Sequence, residues 1–202
     1  MIVLFILQML LLVSYYVCSG ISYIRICLGA SDLMAVTPYT YDDLDDPYDT
    51  DFNLDNFTID KDRAFVIPVI KEALEINPNL KIMASPWSPP AWMKKNHHLY
   101  GGEFNEEPQY LNALAKYLVM SIQAYEAEGI PIESFSVNNE PLLPIDTYST
   151  MVMNVSVMID LIKNYLGPEM RQNNITAKLL IWDWNWEGAW YPETILNDSK
   201  NA

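Results

Sequence analysis

The sequence predicts an α/β fold, and within that class part of a (β/α)8 TIM barrel with about four βα units. Short strand-like segments alternate with amphipathic helices, as in proteins with a parallel sheet. The strand segments are dominated by apolar residues, which is expected where helices cover both faces of a sheet. Polar and aromatic residues follow each strand, at the rim where such barrels build their active sites.

An open doubly wound sheet is the alternative α/β architecture. That fold carries a glycine-rich phosphate-binding turn after its first strand. The turn after the first predicted strand is Leu28-Gly29-Ala30-Ser31-Asp32, which holds a single glycine. The sequence therefore favours the barrel.

Hydrophobic period and stop signals place each element in chain order. Strands are expected at 21–28, 80–84, 134–138 and 178–182, and helices at 60–76, 108–128 and 146–166. The acidic, aromatic stretch at 38–55 has no helical period and predicts a long surface loop. Gly129 is expected to end the second helix, and Gly167-Pro168 the third.

Residues 1–17 are almost wholly apolar, so a buried helix, a signal peptide and a short membrane anchor all compete for this segment. No Lys or Arg precedes the apolar run, unlike in a signal peptide, and the run is short for a membrane span. A buried helix is favoured. Cys18 is expected at the helix end and Cys27 in a strand, which indicates two buried free thiols rather than a disulfide.

The balance of charge is acidic, with 12 Lys+Arg against 26 Asp+Glu and a net charge of -14 over 202 residues. This argues against nucleic acid as a partner, because the chain lacks the cations to neutralise phosphates. The length suits one domain, and no cofactor or metal site is indicated. Four Asn-x-Ser/Thr sequons favour the secretory pathway as the location. Their candidate glycosylation sites are Asn56, Asn154, Asn174 and Asn197.

Asn139-Glu140-Pro141 is the sharpest chemical signal, because it ends a predicted strand at the barrel rim. Pro141 is expected to hold Glu140 in an extended conformation. A carboxylic acid there can protonate a departing glycosidic oxygen, and a neighbouring amide can bind the 2-hydroxyl of the sugar. The alternative is a glutamate that caps a helix or is simply solvated.

The segment 85–92, Ser-Pro-Trp-Ser-Pro-Pro-Ala-Trp, follows the second strand and is too rich in proline to be a helix. Its indole rings, Trp87 and Trp92, suit the apolar faces of a sugar. The alternative is that both rings belong to the core, and this alternative weighs more for Trp92 than for Trp87.

Several motifs together resemble the lysosomal glucosylceramidase family, glycoside hydrolase family thirty. They are Tyr23-Ile24-Arg25-Ile26, Gly29-Ala30-Ser31-Asp32, Tyr39-Thr40-Tyr41, Asn53-Leu54-Asp55-Asn56-Phe57, Ala84-Ser85-Pro86-Trp87-Ser88-Pro89 and Asn139-Glu140-Pro141. The resemblance implies a retaining β-glucosidase that acts on glucosylceramide. It also implies a (β/α)8 barrel with an attached β-sandwich.

By this resemblance, Glu140 matches the general acid/base and Asn139 the adjacent amide, while Asp32 and Trp87 match residues that hold the glucose. Arg25 matches an arginine beneath the site, with a structural ion pair as the alternative role.

Asp183 matches the rim of the following strand, again with a structural role as the alternative. The family nucleophile, a second glutamate on a later strand, has no match in the sequence, nor do the first strand and the β-sandwich. Residues 1–202 are therefore expected to be the N-terminal part of a glycosidase barrel. The implied partners are glucosylceramide or a related β-glucoside, an activator protein and a lipid surface. The implied compartment is the lysosome or the extracellular space.

Two other classes of function compete with the enzyme. One is a short chain that binds sugar or lipid without catalysis, and the other is an interaction protein anchored through residues 1–17. A binding module should fold alone, whereas a partial barrel lacks the strands that complete its core. A membrane anchor should be longer than residues 1–17 and flanked by basic residues. Both alternatives are therefore weaker than the enzyme.

Overall fold

A computed structural model describes residues 20–34 and 37–199. The predictions for residues 1–17 and for Cys18 lie outside this range. The described residues contain a four-stranded sheet made of β1 (Tyr23–Cys27), β2 (Lys81–Ser85), β3 (Ser134–Ser136) and β4 (Lys178–Leu180). All four predicted strands are therefore present, with β3 and β4 two residues shorter than predicted at their carboxyl ends.

The strands pair in sequence order, β1-β2-β3-β4, and every pair is parallel. Arg25 pairs with Met83, and Met83 in turn pairs with Ser134. Because the strands are parallel and each neighbour follows along the chain, all four carboxyl ends lie on one edge of the sheet. This is the predicted α/β arrangement of a partial barrel.

Helix α1 (Asp60–Ile76) and helix α2 (Pro108–Ala127) follow the first and second strands, as predicted. Gly129 ends α2 with a positive φ of 80° and donates its N–H to the carbonyl of Glu126. The inner face of α2 is entirely buried: Leu111, Leu114, Ala115, Leu118, Ile122 and Tyr125. On α1, the buried face includes Ile67, Ile70 and Ala73.

The third helix differs from the prediction at both ends. It begins at Val155 instead of residue 146, as α3 (Val155–Asp160), continues through a π-helical turn (Leu161–Leu166) and runs into α4 (Gly167–Gln172). Pro168 has no N–H to donate, yet the helix continues because the N–H of Gly167 reaches the carbonyl of Ile162, five residues earlier. A Cβ at Gly167 would lie 2.7 Å from that carbonyl oxygen, so glycine permits the turn rather than ending the helix.

Two loops on the carboxyl side of the sheet pair with each other. After a 3-10 turn (Ala91–Met93), isolated β-bridges join Tyr100 to Ser149 and Glu103 to Val152. These contacts explain why residues 146–154 are not helical, since their backbone groups bond to the neighbouring loop. The last described elements are a 3-10 turn (Trp186–Gly188) and α5 (Trp190–Ser199). None of the helices in the described residues is long and apolar enough to cross a membrane.

Candidate active site

The Arg25 side chain on β1 links groups from three other strand ends. Its Nη2 donates to Asn139 Oδ1 and to Asp183 Oδ2, each at 2.6 Å, and to Ser85 Oγ at 3.1 Å. The pair with Asp183 is also a salt bridge, with 34% of the Arg25 side chain and 17% of the Asp183 side chain exposed. The structure therefore contains the ion pair that was the alternative role for Arg25. This ion pair with Asp183 lies directly beside Asn139.

Two serines complete the network around Asp183. Its Oδ2 accepts hydrogen bonds from Ser85 Oγ at 2.7 Å and from Ser136 Oγ at 2.9 Å, and the two hydroxyls lie 2.6 Å apart. Sequence reasoning missed both serines. Their signal was a polar residue at the last position of β2 and of β3, where it faces the centre of the site. The carboxylate of Asp183 is thus held by one cation and two hydroxyls.

The same network fixes which way the Asn139 amide points. Because a guanidinium only donates, the atom that it contacts must be the oxygen. The Nδ2 of Asn139 is then directed away from Arg25 and lies 3.4 Å from Glu140 Oε2. Asn139 itself is buried, and its backbone N–H bonds to the carbonyl of Pro86 at 2.8 Å.

Glu140 is half-buried in the turn that follows β3, but its backbone is not extended as predicted. Its φ is 47°, in the left-handed region, which costs roughly 1–3 kcal/mol for a residue other than glycine. The N–H of Glu140 donates to the carbonyl of Asp183 at 3.1 Å, and its carbonyl accepts from Leu143 at 2.9 Å. These two bonds hold the turn. Contacts with the segment after β4 and with the loop after Glu140 therefore override the extended conformation that Pro141 favours.

Asp32 is exposed beyond the end of β1 and shares a neighbour with Glu140. That neighbour is Tyr148, whose phenol has its pKa raised by burial and by the negative charges of Glu140 and Asp32. Both predicted carboxylates therefore act on a single phenol. Sequence reasoning missed Tyr148, because it lies in a segment that was predicted to be helical.

The two tryptophans of segment 85–92 have different environments. The ring of Trp87 is buried beneath the Arg25 guanidinium, whose carbon lies 4.4 Å from the ring centroid. This places Trp87 in the same cluster as Asn139, and its contact with glucose stays a prediction.

The prediction that Trp92 binds substrate is wrong. Trp92 is only 1% exposed, its Nε1 donates to Asp42 Oδ2 at 3.0 Å, and its ring packs edge-on against Phe52. A ring with these contacts has no free face for a sugar, so Trp92 belongs to the core.

Lys94 is a further buried polar group that sequence reasoning missed. It has 0% exposure, and burial lowers the pKa of its ammonium to about 7. It lies two residues after Trp92, in the loop that pairs with the segment following Glu140. Nothing in the sequence around Lys94 indicated that its side chain would be buried.

The remaining predicted sites lie at the surface or away from the cluster. The four sequon asparagines, Asn56, Asn154, Asn174 and Asn197, are all exposed, and their glycosylation stays a prediction. Cys27 is a free, half-buried cysteine at the end of β1, and burial raises the pKa of its thiol. Within the described ranges, no group of three or more His, Cys, Asp or Glu side chains could hold a metal ion.

A parallel sheet whose strand ends carry a fixed carboxylate, an oriented amide and an arginine that binds both defines a barrel domain with a glycosidase-like site. Residues 5–202 match the family model described as the TIM-barrel domain of glycosyl hydrolase family 30. The chain belongs to this family.

Among curated relatives, an endo-1,6-β-D-glucanase of Neurospora crassa is 34% identical, with 86% of this chain aligned to 36% of the relative. The lysosomal acid glucosylceramidase of Mus musculus is 31% identical, with 87% of this chain aligned to 35% of the relative. A solved endo-β1,6-glucanase has a TM-score of 0.77 and 32% identity, over 88% of this chain and 40% of that one. The chain thus spans about two fifths or less of the length of these relatives.

Proposed function

We propose that this chain supplies the acid/base side of the active site of a retaining β-glucosidase. The observation that carries the proposal is the network beneath Glu140, in which Arg25 orients the amide of Asn139 and binds Asp183. The backbone N–H of Glu140 also donates to the backbone carbonyl of Asp183, so the backbone of Glu140 and the Asn139 amide belong to a single fixed unit. Such positioning is what general acid catalysis requires.

In the proposed mechanism, Glu140 first protonates the departing glycosidic oxygen and then removes a proton from the attacking water. Retaining glycosidases need a second carboxylate about 5 Å from the first, as the nucleophile. We expect that carboxylate to lie outside the 202 residues. The Nδ2 of Asn139 has two hydrogens, of which one points to Glu140 Oε2 at 3.4 Å, so the other can donate to a sugar hydroxyl. The exposed carboxylate of Asp32 is suited to accept hydrogen bonds from other sugar hydroxyls.

We propose glucosylceramide as the substrate, with an activator protein and a lipid surface as partners and the lysosome or the extracellular space as the compartment. The similarity to the mouse lysosomal acid glucosylceramidase supports this substrate. The exposed sequon asparagines support passage through the secretory pathway.

A β-1,6-glucan is the second candidate substrate. It is favoured by three fungal relatives named endo-1,6-β-D-glucanases, at 32–35% identity. Both candidates contain a β-glucosidic bond, so the chemistry proposed for Glu140 is the same.

The test of the acid/base role uses Glu140→Gln and Glu140→Ala in the full-length protein that contains these residues. Glu140→Gln should lose about 10²-fold or more in rate with poor leaving groups and much less with activated aryl β-glucosides, which need little protonation. Azide should restore turnover of activated substrates by Glu140→Ala, because it needs no base to attack.

Glu133→Gln is the matched control, because Glu133 lies at the opposite end of β3 and is ion-paired with Lys178. It should leave the rates with both kinds of substrate unchanged. Equal losses for all leaving groups in Glu140→Gln, without azide rescue, would exclude Glu140 as the acid/base. Parallel assays with glucosylceramide micelles and a linear β-1,6-glucan then decide between the two substrates.

A further inference from the structure

We propose that Lys94 is a positioning residue for Glu140, acting through residues 141–153, here called the post-Glu140 loop. The inference rests on the proposed function, since it assigns the buried ammonium a part in holding the acid/base.

Lys94 donates three hydrogen bonds, all to uncharged oxygens. Its Nζ lies 2.6 Å from the carbonyl of Thr150, 2.7 Å from the carbonyl of Leu99 and 3.2 Å from Ser88 Oγ. These acceptors belong to three different segments: the stretch after β2, the loop at 94–105 and the post-Glu140 loop. An ammonium has three donors, so the protonated amine matches this set completely. In the part of the chain that the structure describes, Lys94 has no salt bridge.

Thr150 transmits this anchor to the rest of the loop. Its N–H bonds to the carbonyl of Leu99 at 3.3 Å, and its Oγ1 bonds to the carbonyl of Ile145 at 2.6 Å. The same Oγ1 accepts the N–H of Gly101 at 3.1 Å. Every polar group of Thr150 is therefore engaged, and the carbonyl is held by Lys94.

The two ends of the loop close on residues that flank Glu140. The N–H of Met153 donates to the carbonyl of Pro141 at 2.8 Å, and Asn138 Nδ2 donates to the carbonyl of Met151 at 2.8 Å. Glu140 lies between Asn138 and Pro141 in a left-handed conformation that the surrounding contacts must maintain. A shift of the loop would therefore act directly on the backbone of Glu140.

The loop also carries Tyr148, two residues before Thr150. Glu140 and Asp32 both act electrostatically on the Tyr148 phenol, which places this side chain among the predicted site carboxylates. Release of the Lys94 anchor would thus disturb Tyr148 and Glu140 together. Lys94 is buried and does not itself face the substrate, so its effect is on position.

The experiment compares Lys94→Met with Lys95→Met in the full-length protein. Methionine keeps most of the volume of lysine but removes its three donors. Lys95 is the matched control, because it is adjacent and its exposed ammonium pairs with Glu103 and Glu106. Lys94→Gln, which retains two donors, serves as the milder variant if Lys94→Met does not fold.

The first measurement is amide hydrogen exchange, which does not depend on activity. The N–H groups of Thr150, Val152 and Met153 should exchange about tenfold faster or more in the Lys94 variant and at the wild-type rate in the Lys95 variant. Amides in the centre of the sheet, such as Phe135, should keep their protection. Unchanged exchange in the loop, or an equal acceleration throughout the sheet, would overturn the proposal.

The second measurement is the ratio of kcat/KM between activated and poor leaving groups. Misplacing the acid should raise this ratio by about tenfold in the Lys94 variant, in the same direction as Glu140→Gln. A ratio equal to wild type, alongside a raised ratio in Glu140→Gln, would overturn the positioning role while leaving the proposed function intact. If Glu140→Gln also leaves the ratio unchanged, the proposed function itself is wrong, and the positioning role falls with it.

Discussion

Replacing Arg25 by methionine should test the network that holds the candidate site. The substitution removes one cation and three hydrogen bonds from Nη2, to Asn139, Asp183 and Ser85. Asp183 would keep the hydroxyl donors of Ser85 and Ser136 but lose its only salt bridge in the described residues. The Asn139 amide would lose the contact that sets its orientation.

The expected loss can be worked out from these contacts. A hydrogen bond to a charged group contributes roughly 1.5–3 kcal/mol, and the cation over Trp87 adds about 0.5–1 kcal/mol. The Arg25 side chain is 34% exposed, so solvent screens the ion pair and the contributions do not simply add. We expect Arg25→Met to lower the free energy of unfolding by about 2 kcal/mol. Arg25→Lys should lose less, because it keeps the charge but not the planar fork.

Urea denaturation followed by tryptophan fluorescence and far-UV circular dichroism measures this loss. Arg63→Met is the control: Arg63 makes two ion pairs, both at 2.7 Å, but its side chain is 47% exposed on α1. Its loss should be clearly smaller than that of Arg25→Met. Equal losses for the two variants would refute the reasoning that the contacts with Asp183 and Asn139 make Arg25 important.

Three further predictions concern pH, glycosylation and activity. Asp42 is fully buried and its pKa is raised from 3.8 to about 7 by burial and by Asp51, so the folded state holds its proton more tightly than the unfolded state. The contribution of protonated Asp42 to stability is therefore complete below about pH 4 and is lost as the pH rises through 7, by up to roughly 4 kcal/mol. The free energy of unfolding of Asp42→Asn, measured by denaturation, should depend less steeply on pH than that of the wild type. An unaltered slope would contradict this. In protein from secretory cells, Asn56→Gln should remove one glycan seen by electrophoretic mobility after enzymatic deglycosylation, whereas Asn79→Gln, outside any sequon, should remove none. The 202-residue polypeptide by itself should not hydrolyse a fluorogenic β-glucoside at pH 5, and hydrolysis abolished by Glu140→Gln would show that a nucleophile is present.

Much of the fold could be predicted from the sequence, because local residue patterns determine where its helices and strands lie. The apolar stripe of α2 and the stop at Gly129 give the observed helix within one residue. The strands follow from short apolar runs bounded by polar residues. The third helix was misplaced because Gly167-Pro168 usually ends a helix, whereas here the N–H of Gly167 bonds five residues back and a π turn absorbs the proline.

The candidate site was predictable only in part. Asn139 and Glu140 stand out because a polar pair ends an apolar strand, whereas Arg25 was proposed only through the family resemblance. Ser85, Ser136 and Lys94 did not stand out, since a serine or a lysine is common at any surface. The importance of all three comes from burial. For the two serines it also comes from their hydrogen bonds to Asp183, which lies 98 residues from Ser85 and 47 residues from Ser136 in the chain.

By itself, the sequence determined the class of fold, the order of the strands and helices, and the type of chemistry that Asn139-Glu140 can perform. Local periodicity and residue chemistry carry that information. Only the tertiary structure decided that Trp87 packs against Arg25 while Trp92 joins the core, and that Glu140 adopts a left-handed turn. Those outcomes depend on parallel register and on hydrogen bonds between segments distant in the chain, which no local pattern encodes.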